Sequence, residues 1–479
     1  MRFFFDSINN KYAFFRTYKY NICAFIIFLF MAVIYIWNAF NVPFGSGYDE
    51  IGHAAYIRSI AKYNFIPDPL SGWATFHPPF YYLISSFIWK LMEPLGPLAV
   101  IVSIRMVSCL SIILTGLLSY ILLKKLNFPN PVVLMSTSIL LSLPVTQMAA
   151  SWIGNEAFTT AISSVACVTA VLMTKKEDDP KLAFFAGIFS GLAFASKYTG
   201  MVTIIGLFAA NYNLSTHRFR IRNVIFAIIG FILIATPVIY RNINADGTIF
   251  PMTRDLAPIA KLEAKTQVNR SVWNYLTFNF KCLSKPIIYN YENKAYNKHM
   301  ESVWGLTYSG LWYDPFEHRL PEIETMGMAK LLPWLGMCPT IILLIGFFDA
   351  IIDLIRSKLD QAWLPLLAIS IFGLLLYIYW TWHAHTLMAV KGSYLLPLIL
   401  PAAAFFARGL QKINVKIRFA MIMLCIVSVL MNGIVFMEGL FYSTPQNYNN
   451  ILIYGWMNIA YEMPYSGIYE TIIWFITGR

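Results

Sequence analysis

Apolar stretches long enough to cross a bilayer recur along nearly the whole of this 479-residue chain. A hydrocarbon core takes roughly 20 residues of helix to span. The runs here are of that length, so the expected fold class is an all-α membrane protein. Composition agrees: 58% of residues are hydrophobic and 13% charged, whereas a soluble domain carries about a quarter charged residues.

Spans are predicted over residues 21–41, 98–123, 131–150, 157–174, 182–196, 199–213, 223–240, 331–355, 362–382, 393–409 and 417–440. That makes a bundle of about eleven transmembrane helices in one domain, residues 1–440. A first outer loop covers 42–97, a long outer loop 241–330, and a tail on the same outer side 441–479. Within the first loop, Glu50 to Tyr63 and Pro78 to Met92 have helical patterns, the first too polar and the second too short to span. Both are expected to lie along the membrane surface.

Charge sets the orientation. The formal charge is +12, yet the basic residues sit mostly in short segments between apolar runs, a topological signal that speaks against a nucleic-acid partner. With Arg2, Lys11, Arg16 and Lys19 inside, Lys124 with Lys125, Lys175 with Lys176, Arg218 with Arg220 and Arg222, Arg356 with Lys358, and Lys412 with Lys416 and Arg418 fall inside too. The long loop to Lys330 is also basic, but long loops translocate largely regardless of charge. The run from Ile22 to Phe40 reads as a retained first span, not a removed signal peptide. A compact chain of this kind fits a bacterial cytoplasmic membrane, with the N-terminus cytoplasmic.

Of six cysteines, only Cys282 lies in a long polar loop, so neither a disulfide framework nor a CxxC metal motif is visible. No solenoid-type repeat and no matched pair of broken helices appears.

The chemistry-bearing residues gather at outer ends of spans. In Gly47-Tyr48-Asp49-Glu50-Ile51-Gly52-His53 a turn leads into a helix, placing Asp49 and Glu50 at its N-terminus and His53 one turn on. Such carboxylates can act as general base or, with His53, hold a cation. They can equally just cap the helix, worth about 1 kcal/mol. The order Asp-Glu-x-x-His is not the zinc-protease His-Glu-x-x-His. His77-Pro78-Pro79 is a pocket-facing histidine or a rigid helix start. Asn155 and Glu156 follow the third span as a second acidic contribution or another helix start. Lys197, between two apolar runs, can meet an anionic head group or simply snorkel to water. Arg241, Asn242 and Lys391 complete an arc of outer positions suited to a phosphate-bearing lipid.

Taken in order, these motifs resemble the GT-C superfamily of polytopic glycosyltransferases, in particular its protein mannosyltransferase-like, RgtA/B/C/D-like and aminoarabinose transferase-like branch. Tyr48-Asp49-Glu50 resembles the family's first-loop Asp-Glu, and His77-Pro78-Pro79-Phe80-Tyr81-Tyr82 its His/Gln-Pro-Pro-Leu-Tyr-Tyr. Gly154-Asn155-Glu156 resembles its Asn-Asp, and the run from Gly191 to Thr199 its Gly-Leu-Ala-x-x-Thr-Lys-Tyr-Thr. Pro237 to Asn242 is similar to Pro-Trp-Tyr-x-Arg-Asn, and Lys391-Gly392-Ser393-Tyr394-Leu395-Leu396-Pro397 to Gly-Arg-Tyr-Leu-Leu-Pro. Glu156 stands where Asp is usual, and Ser393 where Arg is usual. Lys391 can supply the missing charge but not a bidentate guanidinium.

The resemblance implies an inverting transfer of a sugar from a polyprenyl-phosphate donor to a glycan, lipid or protein acceptor on the extracytoplasmic face. Asp49 is then the general base and Glu50 its support. His53, His77, Glu156, Lys197, Tyr198, Arg241, Lys391 and Tyr394 are the candidates for substrate and lipid-phosphate binding. A divalent metal held by Asp49, Glu50 and His53 is left open, since GT-C branches differ. Two other classes stay in view: a flippase of a lipid-linked saccharide, suggested by the many spans, and a non-catalytic lipid-binding subunit, suggested by Ser393.

Overall fold

The computed structural model describes residues 2–176, 178–252, 267–290, 295–317 and 327–440, with side chains from Tyr20 onward. The proposed tail 441–479 and parts of the long loop lie outside the described residues.

The chain is a helical bundle. Eight helices among the described residues are long and apolar enough to span: Tyr20–Asn41, Pro97–Lys125, Asn155–Thr174, Ile221–Asp246, Ala329–Ile355, Gln361–His383, Leu387–Lys412 and Val415–Val435. The bent pair Asn130–Ser142 and Pro144–Ser151 passes the same test together and makes a ninth if counted as one span, and Pro180–Ser196 and Tyr198–Asn211 are shorter apolar helices. All eleven predicted segments are helical, and eight of them, or nine with the bent pair, are long and apolar enough to span. In order we label the helices α1 (Arg2–Asn41), α2 (Glu50–Tyr63), α3 (Phe80–Met92), α4 (Pro97–Lys125), α5 (Asn130–Ser142), α6 (Pro144–Ser151), α7 (Asn155–Thr174), α8 (Pro180–Ser196), α9 (Val202–Asn211) and α10 (Ile221–Asp246). There follow α11 (Val272–Leu276), α12 (Val303–Trp312), α13 (Leu332–Ile355), α14 (Leu364–His383), α15 (Ile399–Lys412) and α16 (Val415–Val435).

Two predicted features differ from the structure for stated physical reasons. The third span is bent by 57° between α5 and α6, because Pro144 removes one helical N–H and crowds the preceding turn. Gln147 Nε2 donates to the freed Ser142 carbonyl at 2.8 Å, patching the break. In the first loop, α2 does not offer a polar face to solvent: Gly52 through Ala54 and Tyr56 through Ala61 are buried, packed with α3 and α4 around Tyr81, Tyr82 and Ile104. Helix α3 buries Tyr81, Tyr82 and Trp89 and turns Leu83, Ile84, Phe87 and Leu91 outward.

Helix pairs close on small residues. A Cβ added at Gly187 of α8 would stand 2.1 Å from the Ala227 carbonyl of α10, and one at Gly230 of α10 2.2 Å from the Phe184 carbonyl of α8. Between α13 and α15, Gly346 and Gly409 are pressed against carbonyls of Phe405 and Ile342 at 1.9 Å by the same measure. Without water to drive apolar burial between helices, such close backbone packing is a main source of association in a bilayer.

The helix ends that frame the first loop converge. The end of α1, the 42–50 turn, the α6–α7 turn, the α8–α9 break and the segment leading into α15 are tied to one another by side chains. That end of the bundle holds every candidate residue.

Candidate active site

Asp49 opens α2 in the left-handed region, with φ of 54°, a conformation that Asp tolerates better than most residues. The geometry decides between capping and exposure, because its side chain makes no capping hydrogen bond to α2. Instead Oδ1 accepts from the Trp73 indole N–H at 3.2 Å, and Oδ2 pairs with Lys391 Nζ at 3.1 Å. The Asp49 side chain is 36% exposed and that of Lys391 14%. Gly52 makes room for the indole: a Cβ there would lie 2.6 Å from the Trp73 ring. Gly47 is needed in the same way, with Trp152 2.7 Å from where its Cβ would be. The Lys391 ammonium also lies 5.1 Å above the Tyr48 ring, a cation–π contact.

Glu50 is expected beside Asp49 as its support or as part of a metal set. It points away from Asp49 into the protein, fully buried. Oε1 accepts from Arg105 Nε at 3.1 Å, Arg105 Nη2 at 2.9 Å and the Ile153 N–H at 2.9 Å. Oε2 accepts from the Gly45 N–H at 2.9 Å and the Gly47 N–H at 3.3 Å. With its lone pairs so committed, Glu50 positions the turn that carries Asp49.

Arg105, a lone charge within the apolar run of α4, was not singled out from the sequence. Its signal was legible nonetheless, since an ionisable residue inside a span needs a partner.

His53 lies one turn along α2, its Nδ1 2.7 Å from the Tyr82 hydroxyl and its ring stacked 5.4 Å from His77. Burial holds both imidazoles below the ordinary value of 6.5, His77 well below it, and for His77 the charges of Lys197 and Lys391 add to the effect. Around His53 the carboxylates Glu156 and Asp49 oppose the shift without reversing it. A base whose folded pKa is depressed contributes stability that is lost as pH falls below its unfolded value. The melting temperature of the detergent-solubilised protein is therefore expected to drop from about pH 6.5 downward, with up to about 1.4 kcal/mol per pH unit for each imidazole. Melting curves of wild type and His77→Asn between pH 7 and 5 check this, and an equally steep slope in the variant would remove His77 from the account.

Glu156 and Lys197 form a second buried pair, Nζ to Oε1 at 2.5 Å. Lys197 sits in extended backbone at the α8–α9 break, with φ −160° and ψ 142°, its ammonium 5.3 Å over the Tyr394 ring. Glu156 Oε2 and His77 Nδ1 have no hydrogen-bond partner among the described residues, although both atoms are buried.

Arg241 and Tyr198 take a different place from the expected phosphate arc. Arg241 donates to the carbonyls of Pro67 through Nε and Nη2 and of Thr75 through Nη2, at 3.2, 2.7 and 2.7 Å. The Tyr198 hydroxyl donates to Phe76 O at 2.9 Å and accepts from Asn242 Nδ2 at 2.7 Å. Both brace the first loop from behind.

The metal set also fails to form. Glu50 is spent on Arg105, His53 Nδ1 is spent on Tyr82, and among the described residues no group of three or more His, Cys, Asp or Glu side chains is placed to hold an ion.

Comparisons with known proteins bear on this arrangement. Residues 76–240 match the family model described as dolichyl-phosphate-mannose-protein mannosyltransferase. The match contains His77, Glu156, Lys197 and Tyr198 but neither Asp49 nor Lys391. The oligosaccharyltransferase of Archaeoglobus fulgidus, tethered to an acceptor peptide, superposes with a TM-score of 0.54 at 12% identity, over 89% of this chain and 56% of that one. The same organism's AglB with an inhibitory peptide and a dolichol-phosphate gives 0.53 at 12% identity, over 95% and 61%. Apo ArnT from Cupriavidus metallidurans gives 0.49 at 15% identity, over 83% and 61%. The chain thus spans 56–61% of the length of these structures. None of the curated proteins compared with the sequence matches it. At such identities the likeness speaks for the fold alone, a helical membrane bundle like that of the Archaeoglobus fulgidus oligosaccharyltransferase.

Proposed function

We propose that this GT-C-fold chain is an inverting glycosyltransferase that moves a sugar, a hexose or a pentose, from a polyprenyl-phosphate carrier to an envelope glycan, lipid or protein acceptor. The observation that carries the reading is the Asp49 carboxylate. It is turned away from the helix it begins and held part-exposed between the Trp73 indole and the Lys391 ammonium.

An acceptor hydroxyl placed against Asp49 gives up its proton to the carboxylate while its oxygen bonds to the anomeric carbon. The bond from that carbon to the phosphate oxygen breaks, and its electron pair leaves with the lipid phosphate. Attack from the face opposite the phosphate inverts the centre. A base so positioned contributes typically 10²- to 10⁴-fold, and fixed positive charge at the leaving phosphate adds to it. Lys391 supplies that charge in our reading, and the uncommitted oxygen of Glu156 and nitrogen of His77 receive sugar hydroxyls. The bilayer delivers the donor laterally.

We place the site on the extracytoplasmic face of a bacterial cytoplasmic membrane, because the short basic turns Lys124–Lys125 and Lys175–Lys176 close the opposite ends of α4 and α7.

Mass spectrometry of envelope glycans and lipid-linked sugars tests the proposal in a strain deleted for the chain and complemented with it. The expected result is one sugar mass missing from an acceptor in the deletion, its carrier-linked form accumulating, and both restored by the wild type. Unchanged glycans would overturn it.

A further inference from the structure

We propose that Lys391 serves two anions in turn: it holds Asp49 in the resting enzyme and transfers to the donor phosphate as Asp49 takes the acceptor proton and the sugar leaves. The inference rests on the reading of Asp49 as the base.

Its starting point is that both lysines of the site are already engaged. Lys197 is sealed in a buried pair with Glu156, both side chains under 10% exposed. The Lys391–Asp49 contact is looser and wetter, at 3.1 Å with the carboxylate 36% exposed. A lysine is also the residue suited to exchange, since its ammonium is a point charge on a flexible stem and not a planar fork locked to one partner. Here the stem is rooted firmly while its tip is not. Lys391 leads directly into Gly392, whose backbone packs against Gly310 of α12 so closely that a Cβ at Gly310 would meet Gly392 N at 2.7 Å. The backbone therefore stays while the side chain swings over the Tyr48 ring, which offers the ammonium a favourable face 5.1 Å away.

The chemistry supplies the driving force. In the ground state Asp49 carries a full negative charge and the donor phosphodiester a single one. As the acceptor proton moves to Asp49, the carboxylate loses its charge while the departing phosphate gains one. The attraction that holds Lys391 to Asp49 thus vanishes in the step that creates a stronger one at the phosphate, and the interaction is greatest in the transition state, where it accelerates the reaction.

A double-mutant cycle on polyprenyl phosphate binding tests the exchange without relying on turnover. Undecaprenyl phosphate is titrated into the full chain in lipid nanodiscs, comparing wild type, Asp49→Asn, Lys391→Gln and the double variant, each first shown monodisperse. Releasing Lys391 by Asp49→Asn is expected to tighten binding about two- to five-fold, the scale of a partly exposed ion pair. In the Lys391→Gln background the same change is expected to give at most a small gain, from relief of repulsion alone. Lys391→Arg, which keeps the charge, is expected to restore most of the coupling. Equal effects of Asp49→Asn in both backgrounds would overturn the exchange while leaving the glycosyltransferase reading intact. If no variant binds the lipid phosphate, the donor class fails and the exchange with it.

Discussion

Replacing Arg105 with leucine is expected to destabilise the protein by about 3–5 kcal/mol, the cost of leaving a buried carboxylate without its partner. Arg105 makes more than one ion pair. Besides Glu50, its Nη1 donates to the carbonyls of Ala39 at 3.1 Å and Val42 at 2.6 Å, and its Nη2 to Pro43 at 3.2 Å. Those carbonyls belong to the last turn of α1 and the residues just past it, where helical oxygens lack intrahelical partners. Glu50 in turn holds the N–H groups of Gly45, Gly47 and Ile153. One buried pair thus joins α1, α4, the turn carrying Asp49 and the turn leading to Glu156. Melting in detergent, followed by size-exclusion of heated samples, checks the prediction. Arg105→Leu should melt far below wild type, and Arg105→Leu with Glu50→Leu should recover part of the loss, because removing both charges leaves none stranded. A single variant that melts with the wild type would show that the pair contributes nothing to the fold.

Much of the bundle was legible because hydrophobic length and positive-inside charge are read directly from sequence. The break at Lys197 was readable too, as a charge between two apolar runs. The bend at Pro144 was missed because its flanks are apolar enough to pass as one continuous span, and a single proline does not say whether a helix kinks or breaks. The close crossings at Gly187, Gly230, Gly346 and Gly409 were missed because a glycine in an apolar run carries no sign of which backbone will lie against it.

At the site, residue types were more legible than their partners. Position alone could not separate Asp49 from Glu50, two neighbouring carboxylates at one helix start, yet their environments differ sharply: Trp73 and Lys391 for one, Arg105 and three backbone N–H groups for the other. Lys391 lies 342 residues from Asp49 along the chain, and no local pattern reports a pairing across that separation. Arg241 has the opposite history. Its place at a span end suggested a phosphate, but the carbonyls of Pro67 and Thr75 were closer, and satisfying buried backbone oxygens takes precedence. Arg270 gave no signal at all, although its guanidinium gathers the carbonyls of Thr381, Ala384 and Thr386 at the end of α14, and Val268 N donates to His385 O at 2.9 Å. That clamp fixes the segment that brings Lys391 to the site.

Asp49→Asn is expected to lower the turnover rate about 10²- to 10⁴-fold, the range for loss of a positioned general base, with little change in melting temperature. The substitution isolates chemistry from structure for two reasons. Asparagine is, with aspartate, among the few non-glycine residues at ease at the positive φ of 54° found here. Its carbonyl oxygen can also still accept from the Trp73 indole, now 3.2 Å from Oδ1. What disappears is the ability to take a proton, together with the part-exposed ion pair to Lys391, whose loss costs stability at most about 1 kcal/mol. Asp49→Glu keeps that ability but moves the carboxylate out by one methylene, a displacement of the order that costs about 10²-fold when reacting groups must align. The two variants should therefore differ in kind. Asp49→Glu should be slowed yet keep the acid limb of the wild-type pH–rate profile, where protonating the carboxylate stops the reaction. Asp49→Asn should be slower still and lose that limb. Purified protein given the donor and acceptor identified by glycan profiling provides the rates. Turnover by Asp49→Asn within a few-fold of wild type, with the acid limb intact, would assign the proton to another group, and Glu156 with its uncommitted oxygen would be the first to examine.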